Sequence, residues 1–234
     1  MKDAVLITGT DTGVGKTVVA AGLVQALRFR GFSAAPMKPF ATGCRAEGRE
    51  LVCQDAQVLA ESCQHELPLD LISPVRYLQP LAPAVAARAE GRPVDVEAAF
   101  AAFSKIVRLY DFVVVEGIGG LAVPLTDDMT VADFALRARL DVVVVARRTL
   151  GTLNHTKLTV EYALSKGLAV RGIVLCGACP PEEDLSAMTN ASEIERLVQR
   201  PVLSAVPALE PGTPIHEVIE AAAAHLAPER IMNL

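Results

Sequence analysis

Nine consecutive residues, Gly9-Thr10-Asp11-Thr12-Gly13-Val14-Gly15-Lys16-Thr17, bring glycines, hydroxyls and a lysine together between two apolar runs. The run before them, Ala4-Val5-Leu6-Ile7, reads as a strand, and the run after them, Val18 to Leu27, as a helix. A glycine loop in that setting points successive backbone N–H groups, backed by a helix N-terminus, at an anion. Lys16 adds a cation that can reach outer phosphates, and the Thr17 hydroxyl is placed for Mg²⁺. The chemistry this implies is binding of a nucleoside triphosphate. The strict spacing asks for glycine at position 10; here Thr10 stands there and the glycine is Gly9. A glycine-rich turn with an incidental lysine is the competing reading, and the correctly ordered flanking strand and helix argue against it.

Three further segments follow apolar runs and carry reactive side chains. Lys38-Pro39-Phe40-Ala41-Thr42-Gly43 ends a short strand candidate, Ser33 to Lys38. A lysine there can neutralise charge developing at a phosphate or take part in proton transfer; otherwise it is a solvated surface lysine. Glu116-Gly117-Ile118-Gly119-Gly120 follows a valine run. A carboxylate ending a buried strand is suited to phosphate-bound Mg²⁺, which takes few protein oxygens, and the glycines let a ligand approach the backbone. Asp55 opens a helical stretch and reads either as another metal contact or as an acid favoured in a first turn. Thr149 to His155 precedes a helix and offers N–H groups to a carboxylate, or is a capped loop with Asn154 as the cap. His155 has no nucleophile or metal partner nearby in sequence, so no catalytic role is assigned to it. Asp127, Asp128 and Asp133 read as caps or surface charges.

These segments need a scaffold that aligns strand ends. Apolar runs recur at Phe112-Val113-Val114-Val115, Val142 to Ala146, Gly172-Ile173-Val174-Leu175 and Val202 to Val206. Continuous rather than alternating runs indicate strands buried on both faces. Helical stretches lie between them, at Val94 to Leu109, Thr156 to Lys166 and Ala191 to Gln199. The expected fold is therefore α/β, a mostly parallel sheet flanked by helices, of the phosphate-loop NTPase type. The helix after the loop is apolar on most sides and so buried, with Gly31 as its stop. Ligands of open α/β sheets bind at the carboxyl ends of the strands. The proline-bearing segment 64–93 is the least regular part. No repeat or linker divides the chain, and residues 1–234 are expected to form one domain.

The chain has 234 residues, of which 51% are hydrophobic, and a net charge of −5. No apolar run approaches the roughly 20 residues of a membrane span, and Met1-Lys2-Asp3 leads straight into the first strand, so a cytoplasmic protein is expected. Trp is absent and basic residues form no block, which disfavours nucleic-acid and anionic-membrane partners. The five cysteines are expected to be free thiols. Cys176 and Cys179 form a CxxC, but no second pair or histidine follows at metal-site spacing, and the flanks read as a turn.

Taken together, these motifs resemble those of dethiobiotin synthetases, which close the ureido ring late in biotin synthesis. The resemblance rests on Thr8-Gly9-Thr10-Asp11-Thr12 with Val14-Gly15-Lys16-Thr17, Lys38-Pro39, Thr42-Gly43, Asp55-Ala56, Val115-Glu116-Gly117 with Gly119-Gly120, Pro124-Leu125, Ala132-Asp133, and Gly151 with Leu153-Asn154-His155. It implies that one amine of 7,8-diaminononanoate takes up CO₂ as a carbamate, that the carbamate attacks the γ-phosphate of ATP or another NTP, and that the second amine closes the ring. It further implies that Gly13, Val14, Gly15, Lys16, Thr17 and Val18 wrap the phosphates. Thr17, Asp55 and Glu116 would hold Mg²⁺, and Lys38 with Lys16 would be catalytic. Thr12, Thr42, Gly119, Gly120, Leu150, Gly151 and Asn154 would meet the diamine, with the Gly151 to Asn154 segment receiving its carboxylate across a homodimer interface. Gly119 also falls at the nucleotide.

One departure concerns the base. Many members of the family carry Asn-Asp after the Gly172 to Leu175 strand, where this chain has Cys176-Gly177. A thiol cannot supply the paired hydrogen bonds of an amide, so the expectation is either that backbone near Val206 to Leu209 (Pro207, Ala208 and Leu209 included) reads the base or that a different nucleotide is accepted. Two other readings share the loop. An amide-forming ligase of corrinoid synthesis would carry a glutaminase domain, for which the chain is too short. A regulatory or sensor ATPase commonly has another lysine early in the loop, and positions 8–12 contain none.

Overall fold

The computed structural model describes residues 3–48, 50–177 and 185–232. Along the chain, β1 (Asp3–Gly9) passes through the glycine loop into α1 (Lys16–Phe29) and β2 (Ala34–Met37). Short elements follow: β3 (Phe40–Ala41), β4 (Arg45–Glu47), β5 (Glu50–Val52), α2 (Gln54–Ser62), α3 (Leu69–Ile72), β6 (Val75–Arg76) and α4 (Pro83–Glu90). After α5 (Val96–Leu109) the chain alternates through β7 (Phe112–Glu116), α6 (Val131–Arg137), β8 (Asp141–Arg147), α7 (Thr152–Ser165), β9 (Val170–Gly177), α8 (Leu185–Val198) and β10 (Val202–Pro207), ending with α9 (Ile215–His225) and α10 (Pro228–Ile231).

Six strands pair in parallel in the order β10-β9-β8-β1-β7-β2, the α/β fold expected from the sequence. Val113 to Val115 and Val142 to Val145 are fully buried, as uninterrupted valine runs covered on both faces should be. The register sets Ile7 beside Glu116 and Met37 beside Val115. The loop after β1, Lys38 after β2 and Glu116 at the end of β7 therefore share one edge of the sheet. At the opposite edge, Arg171 on β9 ties three strands together. Its guanidinium donates to both carboxylate oxygens of Asp3 at 2.7 and 2.8 Å, to Asp141 at 3.0 Å and to the Ile231 carbonyl at 2.9 Å.

Helix α1 is buried on nearly every side because it lies between the sheet and α9. A Cβ on Gly22 would come within 2.6 Å of the Ala222 Cβ, so the absence of a side chain sets how closely the two helices approach. Gly31 follows the helix at φ +83°, the left-handed stop its type implies.

Several boundaries differ from the sequence reading. Helix α7 begins at Thr152, not Thr156, and its N-cap is Gly151 at φ +93°; Asn154 is inside the helix and exposed, so it is not the cap. Backbone freedom at glycine makes this start, where a side-chain cap was expected. α8 begins at Leu185, ahead of Ala191, and α5 at Val96, where Asp95 caps the helix through the Ala98 N–H. Asp133 completes a capping box with Thr130. The segment 64–93 holds α3, β6 and α4. Cys179 and its neighbours Ala178, Pro180 and Pro181 lie outside the described residues.

Gly22→Leu is expected to force α1 and α9 apart and to lower unfolding stability by about 1–3 kcal/mol, the usual cost of overpacking. Urea denaturation at 25 °C with an unchanged m-value would measure it; a variant as stable as the parent would show that the contact yields freely.

Candidate functional site

The loop after β1 is shaped by two left-handed glycines, Gly13 at φ +69° and Gly15 at φ +99°. Gly15 is the N-cap of α1 with no side-chain cap, so the first N–H groups of that helix are left for a ligand. The displaced glycine of the motif has its own reason. A Cβ on Gly9 would sit 2.7 Å from the Asp11 carbonyl and 3.0 Å from the Lys16 ammonium. Lys16 is buried and donates to that carbonyl at 3.0 Å. Burial pushes its pKa down from the ordinary lysine value, against the attraction of Glu116.

Three charged groups from three elements meet beside this loop. The Lys38 ammonium, buried at the end of β2, lies 2.6 Å from an oxygen of Asp55 in the first turn of α2 and 2.6 Å from an oxygen of Glu116 at the end of β7. The Thr17 hydroxyl donates to the same Glu116 oxygen at 2.8 Å. Burial alone would depress the Lys38 ammonium, but Glu116 and Asp55 outweigh it and raise its pKa. Burial also raises Glu116 despite Lys38. Asp55 would be raised by burial as well, yet the Lys38 charge and hydrogen bond hold it below its ordinary value. The second Glu116 oxygen is buried without a partner.

That orphaned oxygen, Asp55 and the Thr17 hydroxyl form a small all-oxygen donor set. Among the described residues no cluster of three or more His, Cys, Asp or Glu could make a fuller cage. Such a set fits Mg²⁺, which takes one or two carboxylates and fills its remaining positions with water and phosphate oxygens.

Two cavities open on opposite sides of the loop. The first, of about 650 Å³, is lined by Thr12, Lys16, Thr17, Lys38, Thr42, Asp55, Glu116 and Gly119 among others. Pro80, Leu81, Ala82, Ile118 and Val123 complete its apolar wall; none of these was singled out from sequence as a site residue, and Pro80 to Ala82 fall in the irregular proline-bearing segment 64–93. The second, of about 470 Å³, is lined by Val14, Cys176, Gly177, Pro207, Ala208 and Leu209, all named from the sequence, with Arg147, Arg148, Glu210 and Thr213 in addition. Gly13, Gly15 and Val18 border both. The Cys176 sulfur is turned against the loop, since a Cβ on Gly15 would be 2.3 Å from it.

The remaining predicted residues are not drawn in. Gly120 backs onto the Gly9 carbonyl and lines neither large cavity. Leu150 is 88% exposed and touches only a small depression with Asp11, Arg147 and His155. Gly151 and Asn154 are exposed at the start of α7.

Known proteins resemble this chain in sequence and in fold. A family model described as an AAA domain matches residues 3–215. An ATP-dependent dethiobiotin synthetase BioD from Anaeromyxobacter dehalogenans is 48% identical over 86% of this chain and 88% of its own length. The enzyme of that name from Thermodesulfovibrio yellowstonii is 38% identical over 89% and 90%, and that from Bacillus velezensis 38% over 97% and 96%. Among solved structures, the septum site-determining protein MinD from Pyrococcus horikoshii, complexed with Mg-ADP, aligns with a TM-score of 0.57 at 17% identity over 95% of this chain and 86% of that one. A ParA family ATPase from Chlorobium tepidum gives 0.53 at 16% over 100% and 94%. At those identities the likeness shows the fold alone.

Lys38→Met is expected to leave Glu116 and Asp55 repelling each other. Breaking a buried pair costs about 3–5 kcal/mol; because the Asp55 side chain is 43% exposed, about 3 kcal/mol at pH 8 is expected. A buried acid whose folded pKa is raised weakens the fold above its unfolded pKa, so the deficit should shrink as pH falls from 8 to 5. Urea unfolding at both pH values tests this, and an equal deficit at each would remove the carboxylates as its source.

Proposed function

The chain belongs to the dethiobiotin synthetase family, and from that premise we propose how its own residues close the ureido ring. The family's reaction, an ATP-dependent ligation, needs an amine, CO₂, a nucleotide and a second amine held in line. The observation that carries the residue assignment is Lys38, held 2.6 Å from both Glu116 and Asp55 in a cavity that borders the phosphate loop.

The 650 Å³ cavity suits 7,8-diaminononanoate. Its apolar wall of Pro80, Leu81, Ala82, Ile118 and Val123 matches an aliphatic chain, and Thr12, Thr42 and Gly119 offer polar contacts. One amine adds to CO₂, forming an N–C bond and losing a proton. A carbamate is a poor electrophile until its oxygen becomes part of a leaving group. Attack of that oxygen on the γ-phosphorus breaks the bond to the nucleoside diphosphate and gives a carbamic-phosphoric anhydride. The second amine then attacks the carbonyl carbon; the C–O bond breaks, phosphate leaves and the ring closes. The loop N–H groups and Lys16 hold the outer phosphates, and Lys38 supplies positive charge beside the transferring group. Mg²⁺, held by Thr17, Asp55 and Glu116, would supply further neutralisation of phosphate charge.

The 470 Å³ cavity suits the base. With the Cys176 thiol turned to the loop, recognition falls to backbone at Gly177, Pro207, Ala208 and Leu209, and selectivity among bases is relaxed. Exposed Leu150 with the open N-terminus of α7 supports a homodimer in which Gly151 and Asn154 of one subunit receive the diamine carboxylate of the other. Among the described residues no helix is long and apolar enough to cross a membrane, and a cytoplasmic location suits the biosynthetic role.

The test is phosphate release with Mg²⁺ and bicarbonate, using ATP, CTP, GTP and UTP in turn, with and without 7,8-diaminononanoate. Release should require the diamine, disappear in Lys16→Ala, and vary less than about tenfold among the four nucleotides, a difference of about 1.4 kcal/mol. Release indifferent to the diamine would turn the reading toward a regulatory ATPase, and a much stronger preference for ATP would restore strict base recognition.

A further inference from the structure

Cys44 and Cys53 take no part in the chemistry above. They bracket β4 and β5, whose register pairs Arg45 with Val52, Ala46 with Leu51 and Glu47 with Glu50. Extended one position outward, that register sets Cys44 opposite Cys53. Residues facing each other across an antiparallel ladder have Cα atoms about 4.5 or 5.5 Å apart, and both values lie within the span of about 4.4–6.8 Å that a disulfide bridges. Both cysteines are free thiols, each only 5% exposed, and the two side chains lie within interaction distance of each other. The other described cysteines are engaged differently: the Cys63 thiol donates to the Ala60 carbonyl at 3.3 Å, and Cys176 packs on Gly15.

The pair also joins two segments of the candidate site. Cys44 follows Thr42 and Gly43, and its N–H donates to the Tyr77 carbonyl at 3.0 Å, which anchors that side. Cys53 is the N-cap residue of α2 and stands two positions before Asp55. Movement at Cys53 is therefore passed directly to the first turn of α2.

We propose that Cys44 and Cys53 are a peroxide-sensitive dithiol whose closure to a disulfide shifts the start of α2 and reversibly lowers turnover. A small hydroperoxide suits thiols so nearly covered. One sulfur attacks the peroxide, breaking its O–O bond and giving a sulfenic acid and water. The second sulfur then attacks the sulfenic sulfur; the S–S bond forms, the S–O bond breaks and a second water leaves. Two thiols are oxidised, and one peroxide is reduced to two waters. Closing the bond draws the sulfurs from non-bonded contact to about 2.05 Å, and the part of that approach not taken up by side-chain rotation moves the N-cap residue of α2 toward the anchored Cys44. Asp55 sits 2.6 Å from Lys38, and a misplacement of about 1 Å can cost on the order of 100-fold in rate.

The test treats the full chain with hydrogen peroxide, maps non-reduced peptides by mass spectrometry and follows diamine-dependent phosphate release. Loss of two thiols, a linkage between the Cys44 and Cys53 peptides, and a fall in turnover of about tenfold or more that dithiothreitol reverses are expected. Cys44→Ser and Cys53→Ser should each keep their turnover under the same peroxide. Oxidation elsewhere with no Cys44–Cys53 linkage overturns the proposal, and so does a linkage that leaves turnover unchanged. The turnover arm rests on the ring-closing reading. If the reduced protein shows no diamine-dependent release, that reading fails, while the peptide map still decides whether the disulfide forms.

Discussion

Lys38 is the only cation within hydrogen-bond distance of both Glu116 and Asp55 among the described ion pairs, and the architecture around it follows from that geometry. A carboxylate as buried as Glu116, at 1% exposure, is costly unless paired. Its partner comes from another strand, and the second carboxylate from a helix that begins after a hairpin. All three groups meet only if β2 and β7 end, and α2 begins, at one level, and for the two strands the parallel register provides this. The same valine runs that hold the strands together exclude water from beneath the charges, and exclusion of water makes each charge act more strongly. Packing and electrostatics are thus two consequences of one register.

The glycine loop divides the space above the sheet. Gly13, Gly15 and Val18 border both large cavities, so a molecule filling one and a molecule filling the other meet across the loop. For a reaction in which an oxygen must reach a terminal phosphorus, that shared wall is the useful feature. It also explains the unequal character of the two spaces. One is rich in charge, with Lys16, Lys38, Asp55 and Glu116. The other is lined mostly by glycines and small or apolar side chains, with Arg147, Arg148 and Glu210 among them.

How much of this could be read from the chain depends on the range of the signal. The loop, Lys38 and Glu116 were legible because each sits at the end of a local apolar run, and short-range pattern reports strand ends well. Asp55 was ambiguous for the converse reason: its sequence context is that of any first-turn acid, and only the fold brings it to Lys38. The hairpin of β4 and β5 and the pairing of β3 with β6 involve two or three residues each, too few for a periodicity to show. Pro80, Leu81 and Ala82 line the cavity through tertiary placement and carry no motif. At α7 the sequence offered Asn154, a good capping type, but Gly151 took the position because a left-handed backbone costs glycine little.

The fold and the chemistry separate along the chain. The overall fold is shared with solved structures of under 20% identity, and a common scaffold does not carry a reaction with it. The residues proposed for the chemistry lie in the segment from β2 to α2, which supplies Lys38, Thr42 and Asp55, and at the end of β7 and in the turn after it, which supply Glu116 and Gly119. The short elements between Phe40 and Val52 are therefore more than a connection. They fix the distance between a strand end and a helix start, and with it the contact of Asp55 on Lys38. This segment, exposed along all of β4 but anchored by buried Phe40, Ala41, Cys44 and Val52, joins the two sides of the Asp55–Lys38 contact, and a change at its base is felt where the charges meet.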